Sequence, residues 1–301
     1  MDKKKIYVAG AGGMLGDAIY RVFKDEYELK CTDKYAVDKW VDFLDFRDFN
    51  RYAADVRNFQ PDYLFHIGAY TDLEWCEENK DETMLVNDMC VEVAVSIANE
   101  LNIPIVYIST VGIFDGKQEE YDELDIPNPL DMYAKAKYAG ERYVIDNANR
   151  YFILRAGWMM GGGPEKDKKF IQKIMKQLKE GKKELNIVND KDGTPTYTID
   201  FARTLKNVIE YGYYGLYNCV CEGMTSRLEV CKEIIKIMGL KKEVKINPVS
   251  SDFFKKEYFA NRPPCERLVD RRLNILGLNM MRPWKVALKE YLNEYYKGYL
   301  K

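Results

Sequence analysis

Short apolar runs alternate with stretches of helical spacing along the first half of this 301-residue chain. Residues 5–9, KIYVA, form an apolar run behind a cluster of lysines, the pattern of a buried strand. Residues 17–23, DAIYRVF, place their apolar side chains on one helical face. Residues 27–33, YELKCTD, read as a second strand. The alternation then continues. Helices are predicted over 49–59, 81–101 and 131–147, and strands over 62–68, 104–109 and 151–155. Repeated βα units imply an α/β fold, a Rossmann-like doubly wound parallel sheet with helices on both faces. Ligands in such sheets bind at the carboxyl ends of the strands.

The second half is less regular. Residues 166–183 form a basic amphipathic helix with Phe170, Ile171, Ile174, Met175 and Leu178 on one side. Its lysines read either as a solvated face or as cations for a ligand. A helix starts after Thr225 or Ser226, either of which suits a cap. The Tyr-rich helix over 284–299 reads as core or subunit contact. No internal repeat or low-complexity linker divides the chain.

Composition narrows the class. Hydrophobic residues make up 47% and charged residues 31%, as in a soluble globular protein. The net charge of −2 gives no electrostatic case for nucleic acid. No signal peptide or membrane-spanning stretch is visible. Seven scattered cysteines without a C-x-x-C pair fit a reducing, cytoplasmic compartment. Cys219 and Cys221 read as buried thiols on one face of a strand. The single histidine, His66, lies in an apolar run and reads as a satisfied core residue. One histidine excludes multi-histidine metal sites, and no metal is expected.

The candidate chemistry lies at the predicted strand ends. Residues 10–16, GAGGMLG, separate the first strand from the first helix. Glycines there let backbone approach a pyrophosphate, and the helix start offers unpaired N–H groups. Asp33, at the end of the second strand, suits both ribose hydroxyls of NAD and opposes the 2′-phosphate of NADP. Lys34 beside it softens that opposition, so NAD is favoured over NADP but both are candidates. Tyr133 and Lys137 are four residues apart on a predicted helix and share a face. A cation beside a phenol lowers its pKa, which suits proton transfer to a carbonyl near neutral pH. Ser109 or Thr110, at a strand end, can hydrogen-bond such a carbonyl.

Longer stretches carry a resemblance. They include GAYTDLEWCE at 68–77, YISTVGIFDG at 107–116, YDELDIPNPLDMYAKAKYAGE at 121–141, RAGWMMGGG at 155–163 and DGTPTYTIDFA at 192–202. With VN at 86–87, RPP at 262–264 and PW at 283–284, the chain resembles an extended short-chain dehydrogenase/reductase. Within that superfamily it is similar to the dTDP-4-dehydrorhamnose reductase family. The resemblance implies a Thr110–Tyr133–Lys137 triad and NAD(P)H-dependent reduction of a nucleotide-linked 4-keto-6-deoxysugar. It implies cofactor contacts at Gly10, Gly13, Met14, Leu15, Gly16, Asp33, Asp45, Phe46, Gly68, Ala69, Tyr70 and Asn87, besides Tyr133 and Lys137. Substrate contacts are implied at Thr71, Thr110 and Trp158. Lys168, Lys169 or Arg262 would neutralise a diphosphate. Residues 1–155 would bind the cofactor, with a return to that domain around 190–218. Residues 156–189 and 219–301 would bind substrate. A homodimer is the expected assembly.

One departure stands out. The family's S-T-D-Y-V-F-D-G is S-T-V-G-I-F-D-G here, so Val111 and Gly112 replace an acid and an aromatic residue. The triad is untouched, but the sugar is thrown open. A nucleotide-sugar epimerase or dehydratase on the same fold is one alternative. A non-catalytic binding subunit, like the regulatory subunit of methionine adenosyltransferase, is another.

Overall fold

The computed structural model describes residues 3–300. The strands of the main sheet begin with β1 (Lys5–Ala9), β2 (Glu28–Asp33), β3 (Val41–Phe43), β4 (Tyr63–His66), β5 (Ile105–Thr110) and β6 (Tyr151–Ala156). Shorter strands follow: β7 (Trp158–Met160), β8 (Glu184–Val188), β9 (Asp192–Gly193) and β10 (Pro195–Tyr197). The last are β11 (Gly215–Asn218), β12 (Thr225–Ser226), β13 (Lys245–Val249) and β14 (Cys265–Glu266). Seven strands form one parallel sheet in the order β3-β2-β1-β4-β5-β6-β11. The chain runs outward in one direction to β3, then restarts at β4 and runs the other way. The order reverses between β1 and β4, and in such sheets ligands bind at the carboxyl ends of the strands beside the reversal.

Period-two alternation sends successive residues to opposite faces. Ile6, Val8, Phe65 and Val106 join one core, while Tyr7, Ala9, Leu64 and Tyr107 join the other. The helices in chain order are α1 (Met14–Phe23), α2 (Phe49–Phe59), α3 (Leu73–Glu78), α4 (Lys80–Met84), α5 (Cys90–Glu100) and α6 (Met132–Asn147). Then come α7 (Gly163–Lys166), α8 (Phe170–Lys179), α9 (Thr198–Tyr211), α10 (Arg227–Ile237), α11 (Arg271–Leu276) and α12 (Trp284–Tyr295). Ala18 and Ile19 of α1 and Leu205 and Val208 of α9 cover the first face. Tyr52 of α2, Val91 and Val95 of α5 and Val144 of α6 cover the second. Arg155 at the end of β6 donates twice to Glu141 of α6, at 3.0 and 2.6 Å, and both side chains are buried.

Several elements differ from the sequence reading. The helix expected over 81–101 is interrupted by a π-helical turn, Leu85–Met89, between α4 and α5. β3 was not anticipated, because only its first residue is buried. The helix expected over 166–183 narrows to α8, preceded by the single turn α7. Cys219 and Cys221 lie beyond the end of β11, yet both are buried. The tyrosines of the C-terminal helix turn inward. Tyr291 and Tyr296 are fully buried, and Tyr291 donates to Asp167 at 2.8 Å. Among the described residues no helix is long and apolar enough to cross a membrane.

Candidate active site

The glycine turn follows β1 directly. Gly10 has φ +85°, and its N–H and that of Ala11 donate to Thr32 O at 2.8 and 2.9 Å. A Cβ on Gly10 would stand 2.2 Å from the Gly68 Cα, so the close approach of the ends of β1 and β4 requires glycine at position 10, while a Cβ on Gly68 would strike the Phe46 ring at 2.4 Å. Gly16 packs equally closely on the Ala11 carbonyl. Gly13 differs: it caps α1 without a side chain, and a Cβ there would meet nothing within 4 Å. The first intrahelical bond runs from Asp17 N–H to Gly13 O. The N–H groups of Met14, Leu15 and Gly16 therefore stand at the positions that bind an anion. The turn fits a dinucleotide pyrophosphate.

Asp33 ends β2 and accepts from Gly12 N–H at 3.0 Å and Tyr35 N–H at 2.9 Å. Lys34 donates to the Tyr70 hydroxyl at 2.9 Å and lies 4.5 Å from its ring centroid. Arg47 pairs with Asp45 and Glu82 and reaches the same hydroxyl at 3.4 Å. Arg47 holds the Asp45 carboxyl below the usual range. Phe46 sits edge-on to His66 and fills the space beside Gly68. Asn87, on the π turn, accepts from Tyr70 N–H at 2.8 Å and donates to Tyr70 O at 2.9 Å. It thus holds the loop carrying Gly68, Ala69 and Tyr70 against the helix. A π turn at such a place is a common sign of a functional site.

Thr110 ends β5, and its hydroxyl accepts from Gly112 N–H at 3.1 Å. The same hydroxyl faces the Tyr133 phenol and lowers its pKa, while burial raises it by more. Thr110 is half-buried at the end of β5, whereas the Ser109 hydroxyl is buried without a partner among the described residues. Asp131 caps α6 by accepting from Ala134 N–H at 2.8 Å, and burial pushes its carboxyl up to about 6. Lys137 lies one turn on, its ammonium 4.0 Å over the Tyr107 ring. Burial pushes Lys137 down to about 7, and Glu141 partly opposes this. The expectation that the lysine depresses the phenol is therefore not met: desolvation dominates both groups. His66 is only half satisfied. Its Nδ1 meets the Tyr52 hydroxyl at 3.2 Å, its Nε2 has no partner among the described residues, and burial pushes it down to about 3.

The opposite wall comes from the second half. Trp158 donates its indole N–H to Glu266 at 2.7 Å, and Arg227 stacks on its face. Lys169 donates to Thr71 O and Oγ1 at 2.8 and 2.9 Å, and burial lowers its pKa. Arg262 makes a forked ion pair with Glu74 at 2.6 and 2.7 Å. Lys168 is exposed. Val111 turns into a small core with Ile113, Phe114 and Tyr121, so no carboxylate follows Thr110. Glu266 and Arg227 escaped the sequence reading. Arg227 follows the helix cap Ser226, and its contact with Trp158 spans 69 positions, a separation no local pattern reveals.

Comparison with known proteins follows the same lines. The family described as RmlD substrate binding domain matches residues 4–297. The chain is 30% identical over 292 residues to the spore coat polysaccharide biosynthesis protein SpsK of Bacillus subtilis, covering 96% of this chain and 97% of that one. It is 27% identical to methionine adenosyltransferase 2 subunit beta of Danio rerio, covering 96% and 90%. The crystal structure of dTDP-4-dehydrorhamnose reductase from Yersinia enterocolitica matches with a TM-score of 0.87 at 29% identity, covering 97% and 100%. The Bacillus anthracis dTDP-4-dehydrorhamnose reductase in complex with NADP matches with a TM-score of 0.86 at 28% identity, covering 97% and 99%.

Proposed function

Since this chain belongs to the RmlD substrate binding domain family, that of the dTDP-4-dehydrorhamnose reductases, we propose that it reduces a nucleotide-linked 4-keto-6-deoxysugar with NAD(P)H. The observation that carries this reading is the placement of Thr110 at the end of β5 beside α6, which carries Tyr133 and Lys137 one turn apart and is tied to β5 by the Tyr107 hydroxyl donating to Lys137 O at 3.0 Å. Thr110 and the glycine turn lie at the carboxyl ends of β5 and β1 in the same parallel sheet.

The reduced nicotinamide, when bound, supplies the hydride. The chain supplies everything else. Met14, Leu15 and Gly16 would offer N–H groups to the pyrophosphate, and Asp33 would bind the adenosine ribose. Asn87 fixes the loop 68–70 beyond the carboxyl end of β4. Thr110 donates a hydrogen bond to the keto oxygen and aligns it. Tyr133 donates its proton to that oxygen as charge develops there. A raised phenol pKa keeps the proton in place until then. Lys137, when charged, favours the phenolate that remains. Trp158 faces the sugar, its plane fixed by Glu266.

The Lys34 ammonium beside Asp33 supports acceptance of NADPH as well as NADH. The domain reading assigns residues 1–155 to the cofactor, with α9 and β11 returning to the main sheet. Residues 156–189 and 219–301 carry the substrate wall. The seven cysteines, all buried free thiols, support a cytoplasmic setting.

Replacing Tyr133 with Phe tests the assignment. The expected result is a loss of about 10²- to 10⁴-fold in kcat with NADPH affinity retained. Unchanged turnover would remove Tyr133 from the chemistry.

A further inference from the structure

Arg227 opens α10 and lies across the indole of Trp158, its guanidinium carbon 3.6 Å from the ring centroid. Phe170 bounds it at 5.0 Å. Other cations around this wall are engaged. Arg262 pairs with Glu74, Arg267 pairs with Asp192, and Lys169 donates to Thr71. Among the described residues Arg227 makes no ion pair. The carboxylate that acts on it most is Glu266, which already accepts the Trp158 N–H. Desolvation pushes Arg227 down to about 10, so it is charged at neutral pH.

Arg227 is half-buried against the two rings, and a cation held there without an ion-pair partner gains when an anion arrives. The stacking on indole fixes the guanidinium plane and leaves its N–H edge free. A planar fork suits phosphate oxygens. The position fits as well. Arg227 lies on Trp158, the residue that the resemblance sets against the sugar, and Glu266 holds that indole by its N–H.

We propose that Arg227, presented on the face of Trp158, is the diphosphate anchor of the nucleotide-sugar site. The inference rests on the nucleotide-sugar reading above. It replaces the sequence-derived candidate Arg262, whose charge Glu74 already neutralises.

Calorimetric titration of thymidine diphosphate and uridine diphosphate into the wild type, R227Q and R227K tests it, with NADPH affinity measured alongside. R227Q is expected to weaken both nucleotides by about 10- to 100-fold, the range for losing a charge-assisted hydrogen bond. R227K keeps the charge without the fork and is expected to lose about fivefold. NADPH affinity stays unchanged in both, which reports an intact fold and separates anchoring from a stacking role. If R227Q fails to fold, the R227K titration decides. Equal affinities for the wild type and the folded variants would overturn the anchor alone. A loss confined to one nucleotide would place Arg227 on the base and also overturn it. A wild type that binds NADPH but neither diphosphate would overturn the nucleotide-sugar reading together with the anchor.

Discussion

Lys137 is pulled in two directions, by the interior that desolvates it and by Glu141 one turn away. Its folded pKa of about 7 lies below the ordinary 10.5. Between those values the unfolded chain binds more protons than the folded one. The penalty is therefore full below about pH 7 and fades as pH rises toward 10.5. The wild type should gain about 2 kcal/mol on Lys137→Met between pH 7 and pH 9 in urea unfolding. A constant difference would show an ordinary, hydrated lysine. Lys34 offers a second prediction at this scale. Lys34→Ala should raise KM for NADPH by about tenfold and leave that for NADH nearly unchanged, because a 2′-phosphate loses a charge-assisted contact. Equal effects on both cofactors would remove Lys34 from phosphate recognition. Tyr133 and Lys137 were legible in the sequence because four residues on a helix is a local relation. The Arg227–Trp158 stack and the Trp158–Glu266 hydrogen bond were not, because each joins residues from separate elements.

At the scale of elements, the glycine turn separates two functions that one motif combines. Gly10 is required by its φ of +85° and by the backbone of Gly68, whereas Gly13 faces open space. Gly10→Ala should destabilise the fold by about 3 kcal/mol. Gly13→Ala should leave the melting temperature unchanged and weaken NADPH by about tenfold, since its methyl group stands where backbone must approach a pyrophosphate. Thermal melts and fluorescence titration distinguish them, and two equal melts would contradict the packing described for Gly10. The buried runs of β1, β4, β5 and β6 gave those strands away, and Asp131 marked the start of α6. The π turn could not be read, because its apolar spacing continues that of α4 and α5. It matters all the same, since it aims Asn87 at both backbone groups of Tyr70.

For the whole molecule, the parallel order and its switch between β1 and β4 gather the glycine turn, Asp33, the 68–72 loop and Thr110 along one edge. That convergence followed from the alternating βα pattern alone. The late strand β11 did not: it pairs with β6 across about 60 intervening residues, and only the resemblance implied a return to the sheet around 190–218. The small pairings β7–β10, β8–β13 and β12–β9–β14 were equally hidden, being two to five residues long. The buried Glu141–Arg155 pair joins α6, the helix of the triad, to the sheet. Glu141→Gln leaves Arg155 charged without its partner and should cost about 3 kcal/mol in unfolding free energy. A much smaller cost would mean that water reaches the pair. Reduction of a nucleotide-linked 4-keto-6-deoxysugar through Tyr133 is the reaction proposed for this fold. Its most direct test is oxidation of NADH and of NADPH with a panel of such sugars, the Tyr133→Phe variant run in parallel. Oxidation with at least one sugar, abolished in the variant, is the expected result. Cofactor binding without oxidation for any sugar in the panel would contradict it and favour a binding role like that of the methionine adenosyltransferase subunit.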